Sequence, residues 1–194
     1  MVTGHSTGYI LGLGDSRATL ENVGGKGASL ARLVNAGLPV PGGFHVTTDA
    51  YRRFVADNDL GEAIREALQV VDHAQPSTLD EASRTIGDRF AQGPMPSEVA
   101  DAIARAYAEL PGEDPAVAVR SSGTAEDLAD LSFAGQQETY LNIHGTIAVQ
   151  QAVKRCWASL WTARAIGYRA QHGIDHGSVS LAVVVQLLVP ADAA

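Results

Sequence analysis

The stretch Leu181-Ala-Val-Val-Val-Gln-Leu-Leu-Val189 constrains the fold more than any other part of the chain. It is a continuous apolar run, broken only by the amide of Gln186. An unbroken run of this length, rich in β-branched valine, reads as a strand buried on both faces. It is too short to cross a bilayer. Such a strand needs a neighbour along each edge and a covering layer on each face. Only Pro190 and a short tail follow it, so the natural chain is expected to continue and this sequence to be a piece of it.

The rest of the sequence supplies the neighbours and the cover. Tyr9–Leu13, Gly43–Thr47, Ala116–Arg120 and Thr139–Ile143 read as short strands. Gly24-Gly-Lys-Gly27 opens a helical pattern with Leu30, Leu33 and Val34 on one face and Ser29 and Arg32 on the other. Gly37 stops that helix, and Pro39 and Pro41 prevent its resumption. Thr48 or Asp49 is placed to cap a helix carrying Tyr51, Phe54 and Val55. Residues 60–110 read as three amphipathic helices, broken at Gln75-Pro-Ser and Gly93-Pro-Met-Pro, with Ser77 and Ser97 as N-caps. They carry no clustered chemistry and read as a packing layer over a sheet. From Gly145-Thr146 the spacing predicts the longest helix, to about Gln171. Its core stripe is Val149, Val153, Cys156, Leu160 and Trp161. Trp157 and Tyr168 are expected in or near the core, and Lys154, Arg155, Arg164 and Arg169 mostly in solvent.

Charge and cysteine content narrow the function. A formal net charge of -8 argues against a nucleic-acid coat or an anionic-membrane binder. Cys156 is the single cysteine, so no internal disulfide can form, which suits a reducing cytosol. The first residues lack the basic and apolar regions of a signal peptide. A cytoplasmic protein with neither nucleic-acid nor membrane partners is therefore expected.

Candidate chemistry gathers in a few glycine-rich loops. Arg120 ends its predicted strand and shares a face with Ala118. It opens into Ser121-Ser-Gly-Thr124, where a guanidinium is placed to pair with phosphate oxygens or with Glu126 or Asp127. Gly24-Gly-Lys-Gly27 can bring backbone amides, a helix N-terminus and Lys26 to an anion, or can be a plain capping turn. It is not a Walker A loop: Gly27 stands where a serine or threonine would hold magnesium. Phe133-Ala-Gly-Gln-Gln-Glu-Thr139 offers a glycine hinge at Gly135 and a hydroxyl at Thr139, or a tight turn between strands. Gln186, the lone amide of the apolar run, needs a partner, either structural or the edge of an adenine. The six histidines show no ligand spacing, and no nucleophile triad is visible.

Five blocks stand out in order and spacing: Val23-Gly-Gly-Lys-Gly-Ala-Ser-Leu30, Val40-Pro-Gly-Gly-Phe44, Ala118-Val-Arg-Ser-Ser-Gly-Thr-Ala-Glu-Asp-Leu128, Ser132-Phe-Ala-Gly-Gln-Gln-Glu-Thr-Tyr-Leu-Asn142, and Trp157-Ala-Ser-Leu160 with Arg164-Ala-Ile166. Together they resemble the N-terminal nucleotide-binding domain of the phosphoenolpyruvate-utilising dikinases. That group contains phosphoenolpyruvate synthase, pyruvate phosphate dikinase and rifamycin phosphotransferase. The resemblance implies an α+β fold, the first lobe of an ATP-grasp domain with a mixed sheet covered by helices, and residues 60–110 as a helical insertion. It implies that Lys26 and Arg120 hold the phosphates of ATP, that Gly135 and Thr139 close over them, and that Gln186 lies by the adenine. It also implies Mg2+ held by ligands beyond this sequence, and two partners in the same full-length chain: a swivelling phosphohistidine domain and an acceptor domain. The acceptor, pyruvate or rifamycin, stays open, as does a non-catalytic nucleotide-binding module. Gly123 replaces the alanine usual in the group, and Leu128-Ala-Asp-Leu131 lacks its usual proline.

Overall fold

The computed structural model describes residues 8–72, 75–124 and 138–189. The apolar run forms β5 (Leu181–Leu187), with every residue but the last buried. Its neighbours are β2 (Gly43–Val46) on one side and β3 (Val117–Gly123) on the other. The edges are β1 (Ile10–Gly12) and β4 (Thr139–Ile143), giving the order β1-β2-β5-β3-β4. Two registers fix the centre: Gly43↔Gln186 to Val46↔Val183, and Val117↔Leu187 to Gly123↔Leu181. The class is α+β, as expected. Every pairing among the described strands is antiparallel, where a mixed sheet was expected. The reason is that β5 returns between β2 and β3 and runs against both of them.

The sheet has a thick face and a thin one. On the thick face Phe44, Val46, Val117, Val119, Val183 and Val185 join one apolar core with the helical layer. That layer contains α2 (Thr48–Asp57), α3 (Leu60–Gln69), α4 (Pro76–Gln92), α5 (Ser97–Ala108) and α6 (Thr146–Ser159). Trp157, Phe54, Phe90 and Tyr51 pack ring to ring at its centre. The predicted packing layer of three helices is present. Its caps differ, since α4 starts on Pro76 and α5 follows Pro96. Proline's fixed φ suits a first helical turn, so Pro76 opens α4 and Ser77 falls inside it, while Pro96 takes the N-cap position and Ser97 is the first residue of α5. Likewise Thr47, not Thr48 or Asp49, precedes α2, and the Thr48 hydroxyl donates to the Glu21 carbonyl at 3.0 Å.

The predicted long helix is two helices. α6 stops at Ser159, and α7 (Ala163–Gln171) starts after Thr162, whose hydroxyl accepts from Ala165 N at 3.3 Å. Side chains that bond the local backbone compete with helix continuation, and here Thr162 restarts the helix as a cap. Two residues expected in solvent are buried. Lys154 donates from Nζ to the Ala91 and Gly93 carbonyls at 2.8 and 2.7 Å, closing the C-terminal end of α4. Arg169, 1% exposed, stacks over Trp161 and donates from Nε to His176 Nδ1 at 3.0 Å. Burial lowers its pKa to about 10, so it stays charged at neutral pH.

On the thin face one helix, α1 (Leu20–Asn35), lies over β3, β5 and β2. Its buried side is Val23, Gly24, Gly25, Gly27, Ala28 and Ala31. Leu33, on the apolar face of the predicted helix, is 42% exposed. Small residues let the helix sit close on the sheet, and that close approach turns the large apolar residues outward. Under α1 lies His45, fully buried, with Nε2 against the Leu13 carbonyl at 3.4 Å and no partner for Nδ1 among the described residues.

Candidate nucleotide site

The thin face carries Lys26, Arg120, Thr139 and Gln186 of the residues singled out from the sequence. α1 is not continuous: Gly24 has φ 70 and ψ 177, and a new helical segment starts at Gly25. That backbone conformation belongs to glycine. A Cβ there would also overlap the Ser122 carbonyl. The break turns the start of the second segment, with Lys26, toward β3.

β3 runs three residues further than its sequence suggests, so Arg120 lies in mid-strand and not at its end. Ser121, Ser122 and Gly123 have weak strand preference, but pairing with Val183, Ala182 and Leu181 holds them extended. Arg120 is exposed while Ser121 and Ser122 are buried. Its backbone partner on β4 is Thr139, and residues directly opposite in a ladder share a face. Ser121 N donates to Glu138 O at 3.1 Å, and the Ser121 carbonyl accepts from Lys26 Nζ at 3.1 Å. The structure thus brings Lys26, Arg120 and Thr139 together from α1, β3 and β4. Among the described residues the Arg120 guanidinium has no ion-pair or hydrogen-bond partner. Glu126 and Asp127, its alternative partners, lie outside the described residues, as does Gly135.

Gln186 lies two positions along the same face. It pairs with Ala118 across one ladder and Gly43 across the other. Its Nε2 donates to the Pro41 carbonyl at 3.3 Å, and only 9% of the residue is exposed. The structural partner expected of a buried amide is therefore Pro41. Its Oε1 makes no hydrogen bond among the described residues.

Sequence reasoning missed the two serines. Ser122 Oγ donates to the Val23 carbonyl at 2.7 Å and accepts from Gly27 N at 3.1 Å, joining β3 to both sides of the break in α1. No local signal marks that role, since the partners are far apart in sequence. On the reverse face of β4, Arg155 stacks 4.0 Å over Tyr140. Burial first, and then the Glu138 carboxylate, push the Tyr140 pKa up to about 12. That phenol stays neutral.

A groove of about 1330 Å³ exists elsewhere, lined by Tyr51, Asp59, Arg65, Trp161 and His176 among others. None of Lys26, Arg120, Thr139 or Gln186 borders it. Among the described residues no group of three His, Cys, Asp or Glu side chains could hold a metal. No described helix is long and apolar enough to cross a membrane.

Comparison with known proteins gives one consistent answer. Residues 20–194 match the family described as "Pyruvate phosphate dikinase, AMP/ATP-binding domain". The chain is 48% identical over 179 residues to a phosphoenolpyruvate synthase of Aeropyrum pernix, covering 90% of this chain and 22% of that protein. It is 50% identical over 183 residues to a probable phosphoenolpyruvate synthase of Methanocaldococcus jannaschii, covering 92% of this chain and 15% of that one. With the phosphoenolpyruvate synthase of Deinococcus radiodurans the identity is 44% over 177 residues, covering 89% and 23%. The chain thus spans less than a quarter of the length of these three relatives. With motifs, fold and relatives in agreement, the chain belongs to the AMP/ATP-binding domain family of the pyruvate phosphate dikinases.

Proposed function

We propose that this chain is the first lobe of an ATP-grasp domain in a phosphoenolpyruvate-synthase-like phosphotransferase. The carrying observation is the convergence of Lys26, Arg120 and Thr139 on one exposed sheet face. In this reading Lys26 and Arg120 neutralise the ATP phosphates, and Arg120 can do so bidentately. Thr139 donates its hydroxyl, Gly135 supplies a close-approaching backbone amide, and Gln186 lies beside the adenine. Mg2+ would add further positive charge at the phosphates, on ligands proposed to lie in the opposing lobe.

Phosphoryl transfer asks mainly for positioning and charge neutralisation. A rigid sheet suits both demands, since Arg120 and Thr139 are held by ladder hydrogen bonds and Lys26 by a helix packed on the same strands. ATP bound here would phosphorylate a histidine on a swivelling domain, which carries the group to an acceptor domain. Residues 60–110 act as a helical insertion that supports the sheet and takes no part in the chemistry. A cytoplasmic setting fits this work.

The test uses the full-length protein incubated with ATP. An acid-labile, base-stable phosphohistidine is expected, discharged by pyruvate and not by rifamycin. Arg120→Ala should abolish its formation. Wild-type protein that binds ATP but never forms a phosphoenzyme would leave only a nucleotide-binding module.

A further inference from the structure

We infer that Ser122 is a positioning residue of the ATP site: from the neighbouring strand it caps the helical segment that begins after Gly24, and so fixes where Lys26 stands. This deepens the phosphate role proposed above for Lys26 and rests on it.

The residue before a helix commonly supplies the cap itself, through a side-chain oxygen that accepts from the second or third amide of the helix. Gly24 occupies that position for the second segment of α1 and has no side chain. The third amide of the segment, Gly27 N, is satisfied by Ser122 Oγ at 3.1 Å. The same hydroxyl donates to the Val23 carbonyl at 2.7 Å. One buried side chain, 0% exposed, thus closes both sides of the break. Glycine at position 24 is what lets it approach, because a Cβ would meet Ser122 Oγ at 2.5 Å.

Lys26 sits between these two anchors. Its backbone is held by Ser122 through Val23 and Gly27, and its ammonium rests on the carbonyl of the preceding strand residue, Ser121. Arg120 comes next along the same strand. Three consecutive residues of β3 therefore set the relative placement of both phosphate-binding cations. Removing the Ser122 hydroxyl leaves the Gly27 amide and the Val23 carbonyl unpaired where both residues are buried. The segment must then shift to recover partners, carrying Lys26 away from Arg120.

The test is calorimetric binding of ATP and of adenosine to the full-length protein. Wild type is compared with Ser122→Ala, Ser122→Cys, Lys26→Ala and the Ser122→Ala/Lys26→Ala double variant. Ser122→Ala is expected to weaken ATP about tenfold, as loss of one to two buried hydrogen bonds would, and to leave adenosine unchanged. Ser122→Cys should fall between, and it carries the comparison should the alanine variant fail to fold. In the Lys26→Ala background the serine change should cost less than about threefold, because coupled residues are not additive. Unchanged ATP affinity, equal losses for ATP and adenosine, or a full tenfold loss without Lys26 would each overturn the inference. Wild type binding adenosine as tightly as ATP would instead overturn the phosphate reading itself.

Discussion

Replacing Gly24 by alanine tests the geometry on which the site depends, and Gly37, with a similar φ in open space, supplies a comparison. Both glycines have positive φ, 70 at Gly24 and 73 at Gly37. An alanine at Gly37 costs about 1–2 kcal/mol for a positive φ, and one at Gly24, whose ψ of 177 puts it in a region open essentially to glycine alone, costs about 1–3 kcal/mol; each is partly offset by about 0.4–1 kcal/mol from a stiffer unfolded chain. Their surroundings differ. Nothing lies within 4 Å of a Cβ on Gly37, whereas a Cβ on Gly24 would press on the backbone and hydroxyl of Ser122. Backbone inside a sheet cannot swing aside as a surface side chain can, so overpacking adds about 1–3 kcal/mol. Gly37→Ala should therefore cost about 1 kcal/mol and Gly24→Ala about 2–5 kcal/mol. Denaturant titration at unchanged m-value reads the two directly. Equal losses would refute the close contact between α1 and β3. A Gly24→Ala protein as stable as wild type would refute the break in the helix as well.

Two further perturbations follow from buried polar groups. Burial under α1 lowers the His45 pKa below its ordinary 6.5, so the neutral ring is the form that folding favours. The stability this gives is present above pH 6.5 and is lost as the pH falls through the depressed folded-state value. Between about pH 7 and 5, wild type should lose more stability than His45→Leu in matched denaturant titrations, and equal losses would contradict the assignment. Lys154→Met should cost about 2 kcal/mol in the same assay, since it leaves the Ala91 and Gly93 carbonyls without their charged donor. A loss under about 0.5 kcal/mol would show that those bonds contribute little.

Much of the fold was legible where one physical signal dominates. The apolar run at Leu181–Val189, interrupted only by Gln186, points to a central strand by its short length and its β-branched valines, and β5 is that strand. The stripe of Val149, Val153 and Cys156 places α6 on the core, and all three are fully buried. Pattern reading failed where contact depends on small size or distant pairing. Apolar bulk pointed to Leu33, whereas the buried side of α1 is largely glycine and alanine. Lys154 and Arg169 looked solvated because charge is usually outside, yet each has a fixed tertiary role that periodicity cannot show. Strand direction was likewise hidden, being set by how β5 returns and not by any local residue.

The site was legible in residue type and illegible in assembly. Arg120 and Lys26 stood out as cations in glycine-rich settings. That Arg120 faces Thr139, and that Lys26 rests on Ser121, follow from a ladder and a helix packing that join distant segments. Gln186 shows the same limit from the other side. Its need for a partner was evident, and the partner found is the Pro41 carbonyl.

The central claim is that Lys26 and Arg120 form one phosphate-binding pair, and ATP affinity of the full-length protein measures it most directly. Lys26→Ala and Arg120→Ala should each weaken ATP by about 1.5–3 kcal/mol, the range for a charged hydrogen bond, which is on the order of 10- to 150-fold in Kd. Affinity unchanged in both variants, in protein that remains folded, would contradict the pairing.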